Sequence, residues 1–144
     1  MSELAVNRRA LFEYDVAERF AAGVVLTGHE VKSAKAGRFD LAGAHAIIRN
    51  GECFLVGATI HSFQPENAPE GYDAARTRKL LLSRKEIKYL TGKLQSGLTL
   101  VPLKTYTHHG LIKIELGLGK GRKQHDKREL IKKREVRREI RNVR

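Results

Sequence analysis

The chain has no tryptophan, one methionine, one cysteine and three prolines among its 144 residues. Each scarcity removes a class of protein. Cys53 stands alone, so no intrachain disulfide and no cysteine-based metal cluster can form. No apolar run approaches the ~20 residues of a membrane-spanning helix. Met1-Ser2-Glu3-Leu4 lacks the apolar segment of a secretory signal. Together these absences predict a soluble, cytoplasmic protein. Its core has to be built from Leu, Ile, Val, Ala and a few aromatics, and about 120 residues suffice for one such core.

Catalytic signatures are missing too. His29, His45, His61, His108, His109 and His125 follow no HExxH pattern and no regular metal-ligand spacing. There is no GxSxG elbow, and Cys53 in an apolar strand reads as structural. Gly117-Leu118-Gly119-Lys120-Gly121 lacks Walker A spacing. The expectation is a protein that is not an enzyme, with no cofactor and no metal site.

What the chain has is charge of one sign, concentrated at one end. Residues 120–144 carry twelve Lys or Arg against four Asp or Glu, which is +8 of the formal +12. The preceding 119 residues carry only +4. Such an asymmetry marks an arm that meets a polyanion, attached to a body that folds and selects the partner. The division expected is a body over 1–119 and a tail over 120–144. Wound as a helix, the tail puts Val136, Ile140 and Val143 on one stripe. It also stacks Lys133 on Arg137, Arg134 on Arg138, and Arg137 on Arg141. Like charges four apart disfavour an isolated helix by a few tenths of a kcal/mol each, and Glu129–Lys133 is the one well-oriented pair opposing them. The free tail is therefore expected to be disordered or nascently helical, and to fold when phosphates line its basic face. A charge run serving only solubility is the alternative, and the apolar stripe argues against it.

The body alternates. Phe12 to Val16 reads as a half-buried strand and Val24-Val25-Leu26 as a second. A short helix is expected over Glu30 to Ala36, capped by Gly37. Asn50-Gly51 between Ala46-Ile47-Ile48 and Cys53-Phe54-Leu55-Val56 is type I′ hairpin chemistry. Pro65, Pro69 and Gly71 mark an exposed loop over 61–79. Ser83 with Glu86 opens a helix whose apolar face is Ile87, Leu90 and Leu94, ending near Gly97. Leu98-Thr99-Leu100 is a strand until Pro102, which implies an edge or bulge. After a turn at His108-His109-Gly110, Ile112, Ile114, Leu116 and Leu118 alternate with polar residues or glycine. This is a mainly β chain: a small antiparallel OB-like β-barrel with two or three short inserted helices and a basic C-terminal tail disordered in the free protein.

Three clusters are candidate RNA contacts. In Gly28-His29-Glu30-Val31-Lys32-Ser33 the carboxylate can accept hydrogen bonds from base edges, or simply cap a helix. Arg76, Arg78 and Lys79 suit phosphates at a sheet edge, or form an ordinary exposed cluster. Arg8 and Arg9 have the same standing. His125, among Lys123, Gln124, Asp126, Lys127 and Arg128, is placed to stack on a nucleobase, though a lone tail histidine is often inert.

These segments resemble one family in its own order. Asn7-Arg8-Arg9-Ala10, Gly28 to Ser33, Arg76-Thr77-Arg78-Lys79-Leu80-Leu81-Leu82, Gly97 to Lys104, Gly117 to Lys123, and His125-Asp126-Lys127-Arg128 match the pattern of the SmpB family, the small tmRNA-binding proteins of bacterial ribosome rescue. The pattern departs at Tyr72-Asp73-Ala74-Ala75, where members usually carry an Asn-His-Asp-Pro-like stretch, and at Ser83, where histidine is common. The resemblance implies an OB-like barrel that binds the tRNA-like domain of tmRNA and delivers it to a ribosome stalled on mRNA without a stop codon. It implies barrel contacts by Glu30, Lys32, Ser33, Arg8, Arg9, Arg76, Arg78, Lys79, Lys120, Arg122 and Lys123. It also implies that the tail enters the empty mRNA channel and mimics codon–anticodon pairing, through His125, Asp126, Lys127, Arg128, Lys132, Lys133, Arg134, Arg137 and Arg138 against small-subunit ribosomal RNA. Alanyl-tRNA synthetase and elongation factor Tu are implied as indirect partners through tmRNA, with the protein itself a monomer. A permanent ribosomal component is the rival reading, and an RNA-modifying enzyme a distant third.

Overall fold

A computed structural model describes residues 2–62, 64 and 68–142, with side chains given as far as residue 138. Pro65, Val143 and the side chains of Ile140 and Arg141 lie outside the described residues.

The chain begins with β1 (Ser2–Val6), which was not expected, and α1 (Arg8–Glu13). The predicted strand from Phe12 starts two residues late, because Asn7 caps a helix first: its Oδ1 accepts from the Ala10 N–H at 3.2 Å. Then β2 (Tyr14–Val24) runs unbroken for 11 residues. The two strands read from the sequence are one, and Gly23 is a paired residue near its end rather than a break.

Next come α2 (Gly28–Lys35), β3 (Phe39–Asp40), β4 (His45–Arg49), β5 (Glu52–Val56), β6 (Thr59–Ile60) and β7 (Arg78–Leu81). Asn50 and Gly51 have φ of 51° and 74°, as the hairpin between β4 and β5 requires. The remaining elements are α3 (Arg84–Gln95), β8 (Thr99–His108), β9 (Leu111–Gly121) and α4 (Gln124–Asn142). Ser83 and Glu86 form the predicted capping box. Pro102 marks the bulge allowed for it: β8 continues through it, with the register shifting between Pro102 and Lys104.

The strands are antiparallel in the order β1-β8-β4-β5-β7-β2-β9, and β9 pairs back onto β8. That last pairing closes six strands into a barrel, and β1 extends the free edge of β8 beyond β4. Leu55, Leu80, Leu100, Ile114, Leu116 and Leu118 fill the interior, and Leu90 of α3 is fully buried among them. Closure leaves β2 and β9 in register to Tyr14–Gly121, and the Arg122 N–H then donates to Glu13 O at 2.7 Å. The β2–β9 ladder thus reaches Gly121.

Candidate nucleic-acid interface

Helix α2 starts with a capping box. Thr27 Oγ1 accepts from the Glu30 N–H, and Glu30 Oε1 accepts from the Thr27 N–H at 3.0 Å. This fixes the Glu30 carboxylate at the barrel end, where two arginines converge on it. Arg78 donates to Oε2 from Nε at 3.1 Å and Nη2 at 2.7 Å, and Arg76 donates to both oxygens. The Tyr72 hydroxyl reaches Oε2 at 3.4 Å and donates to Ile60 O at 2.8 Å. The rest of the Arg78 fork is taken up by the carbonyls of Ala58, Arg76 and Ala74. Glu30 and Arg78 are both fully buried. Burial pushes the Glu30 carboxyl up, but the bonds from Arg76, the Thr27 N–H and Arg78 more than reverse this and hold it at about 2.

Three of the residues expected to contact RNA are buried. Glu30 has no free oxygen or exposed surface for a base edge, and Arg78 none for a phosphate, because each consumes the other. Ser33 is also buried, with its Oγ donating to His29 O at 3.2 Å. All three lie beneath the cations that remain exposed. Tyr72, which sequence reasoning noticed only as a departure from the family pattern, joins the cluster and stacks edge-on against His29 at 4.8 Å. Both ring nitrogens of His29 are buried without a partner among the described residues.

The other cations stay at the surface. Lys32 is exposed, Arg76 keeps 35% of its side chain exposed, and Lys79 reaches Glu52 at 3.5 Å. Arg8 is exposed, and Arg9 pairs with Glu13 at 3.1 Å across one turn of α1. That helix is anchored by Asn7, whose Nδ2 donates to Leu41 O and Pro102 O at 3.1 and 2.8 Å. Lys120 and Lys123 are exposed where β9 leaves the barrel, with Arg122 half-buried between them.

The tail, expected to fold when bound, stands as helix α4. The Lys123 N–H donates to Asp126 at 3.4 Å at its start, and His125 approaches Glu129 at 3.2 Å. Lys127 and Arg134 lie 5.9 and 5.6 Å from the centre of the Phe12 ring. No side chain of α4 among those described is buried. Arg128, Lys132, Lys133, Arg137 and Arg138 are all exposed, as are Ile131 and Val136 at 44% and 52%. Lys127 and Leu130 are half-buried, and the other described side chains of α4 are open to a partner.

Among the described residues no group of acidic, histidine or cysteine side chains could hold a metal ion, and no helix is long and apolar enough to cross a membrane. Cys53 is fully buried in β5, and burial pushes its thiol up to about 11, against a smaller opposing effect of the Phe54 N–H.

The family model described as SmpB protein matches residues 4–144, across both the barrel and helix α4. The chain belongs to the SmpB family. An SsrA-binding protein of Trichormus variabilis is 47% identical over 135 residues, covering 93% of this chain and 87% of that protein. One from Acaryochloris marina is 50% identical over 137 residues, covering 93% and 88%. The fold also resembles a solved chain described as "tmRNA-SmpB: a journey to the center of the bacterial ribosome", with a TM-score of 0.69 and 40% identity over 88% of this chain and 93% of that one.

Proposed function

We propose that the protein binds the tRNA-like domain of tmRNA and delivers it to stalled ribosomes for trans-translation, so that the ribosome is rescued and the peptide tagged. The observation that carries this reading is that the family match spans barrel and tail together, residues 4–144. A generic basic domain has no need of both. The barrel supplies shape recognition through exposed Lys32, Arg76, Lys79, Arg8, Arg9, Lys120 and Lys123 around the rigid Glu30–Arg78 pair. Helix α4 supplies phosphate neutralisation in the empty mRNA channel, with His125 stacking on ribosomal RNA and Asp126, Lys127 and Arg128 beside it. Alanyl-tRNA synthetase and elongation factor Tu act on the tmRNA it carries, and the protein works in the cytoplasm as a monomer without catalysis of its own.

A gel-shift titration of the full-length protein against the tRNA-like fragment of tmRNA, with excess bulk tRNA and at two salt concentrations, tests this. A complex that survives competitor and loses only part of its affinity with salt is the expected result. Equal erasure by tRNA and by salt describes a generic polyanion binder and removes the proposal.

A further inference from the structure

Away from the Glu30 cluster, a cleft of about 330 Å³ opens between α1 and the small β3–β6 sheet. Phe39 and Ile60 pair across that sheet and are buried, so their neighbours Arg38, Asp40 and His61 face outward by the alternation of extended chain. The His61 N–H donates to Arg38 O at 3.1 Å, and the Arg38 N–H donates to Ser33 O at 3.0 Å, which fixes the backbone that carries both side chains on one wall. Arg8 and Arg9 form the opposite wall. The walls are tied together: Asn7, which caps α1, donates to Leu41 O one residue beyond β3. Three arginines and an imidazole therefore line the cleft with one carboxylate, and Arg9 is also paired with Glu13 behind it. That carboxylate, Asp40, already accepts from the Ala42 N–H at 2.9 Å. Val6, 44% exposed, gives the cleft an apolar ledge.

We infer that Arg38 and His61 complete, with Arg8 and Arg9, a preorganised cleft for an RNA backbone. The phosphates lie between the arginine walls, and a ribose or base lies against Val6 and the His61 ring. Guanidinium forks match phosphate oxygens two at a time. Cations fixed on two tethered walls lose less freedom on binding than the flexible side chains of α4. The cleft rests on the RNA-binding reading above, and its phosphates come from tmRNA or from ribosomal RNA, which share this chemistry.

The test uses full-length protein in two arms: gel shift with the tRNA-like fragment, and cosedimentation with purified ribosomes, each across a salt series. Arg38→Ala with His61→Ala is expected to weaken binding roughly tenfold and reduce the salt slope by about one in the arm that supplies the phosphates. Lys88→Ala, on exposed α3, is expected to change neither arm. Thermal melting of the variant beside the wild type separates a loss of fold from a loss of contact. A loss in the first arm assigns the phosphates to tmRNA, in the second to ribosomal RNA. No loss in either arm, or an equal loss with Lys88→Ala, overturns the cleft while leaving the functional reading standing. A wild-type protein that binds neither RNA overturns both.

Discussion

Arg78 is the residue whose role the sequence most conceals. A basic cluster after a loop reads as surface, because arginine is rarely fully buried unless it is paired. Its partner Glu30 lies 48 residues earlier, and the second arginine, Arg76, lies 46 residues from the same carboxylate. No local pattern links positions so far apart, so the sequence shows these residues but not their pairing. Removing the carboxylate with Glu30→Ala leaves a guanidinium buried and unpaired. A loss of about 3–5 kcal/mol in urea unfolding is expected. The pH dependence has a definite sign. Because the folded carboxyl sits at about 2 against an ordinary 4.5, its contribution is fully present above pH 4.5 and drains away as pH falls toward 2. Wild-type stability should therefore fall across that window more steeply than that of Glu30→Gln, measured as unfolding midpoints at each pH. Parallel curves would mean that the carboxylate is not held as the geometry describes.

At the scale of elements, what could be read was what local chemistry decides. The Asn50-Gly51 hairpin, the Ser83–Glu86 cap and the alternation of β9 each depend on a handful of adjacent residues, and each is present. The misread stretch, Phe12 to Leu26, depends on distant partners: Asn7 caps α1 while bonding to carbonyls at Leu41 and Pro102, and β9 holds β2 straight through Gly23. Gly119 shows the same dependence. It stands in Gly117-Leu118-Gly119-Lys120-Gly121, yet a Cβ there would lie 2.1 Å from Asp15 O, where the bulged stretch of β2 crosses β9. Gly119→Ala is expected to destabilise by roughly 1–3 kcal/mol, since backbone and not a side-chain tip has to move. Gly121→Ala, with nothing within 4 Å, should be nearly neutral. Thermal melts of the pair check this, and equal midpoints would show that the crossing relaxes freely.

The whole molecule is a barrel carrying most of the shape and a tail, residues 120–144, carrying +8 of the formal +12, and these can be separated. The last ladder contact is made by Arg122, and no described side chain beyond it is buried. A chain ending at Arg122 should therefore melt where the full-length protein does, because its core is complete. Its affinity for the tRNA-like fragment should fall only modestly, since the barrel cations remain. Ribosome association should respond differently. If α4 neutralises about six to ten phosphates, full-length binding loses about 10³–10⁵ between 50 and 200 mM salt, and truncation removes most of that slope along with peptide tagging. The discriminating measurement is the salt slope of each chain on ribosomes beside its slope on the tRNA-like fragment. Truncation that flattened both slopes equally would place the tail on tmRNA as well as on the ribosome and dissolve the division of labour. A flattening confined to the ribosome assigns recognition to the barrel and channel occupancy to α4, and explains why a helix with so many like charges four apart is kept next to so closely packed a fold.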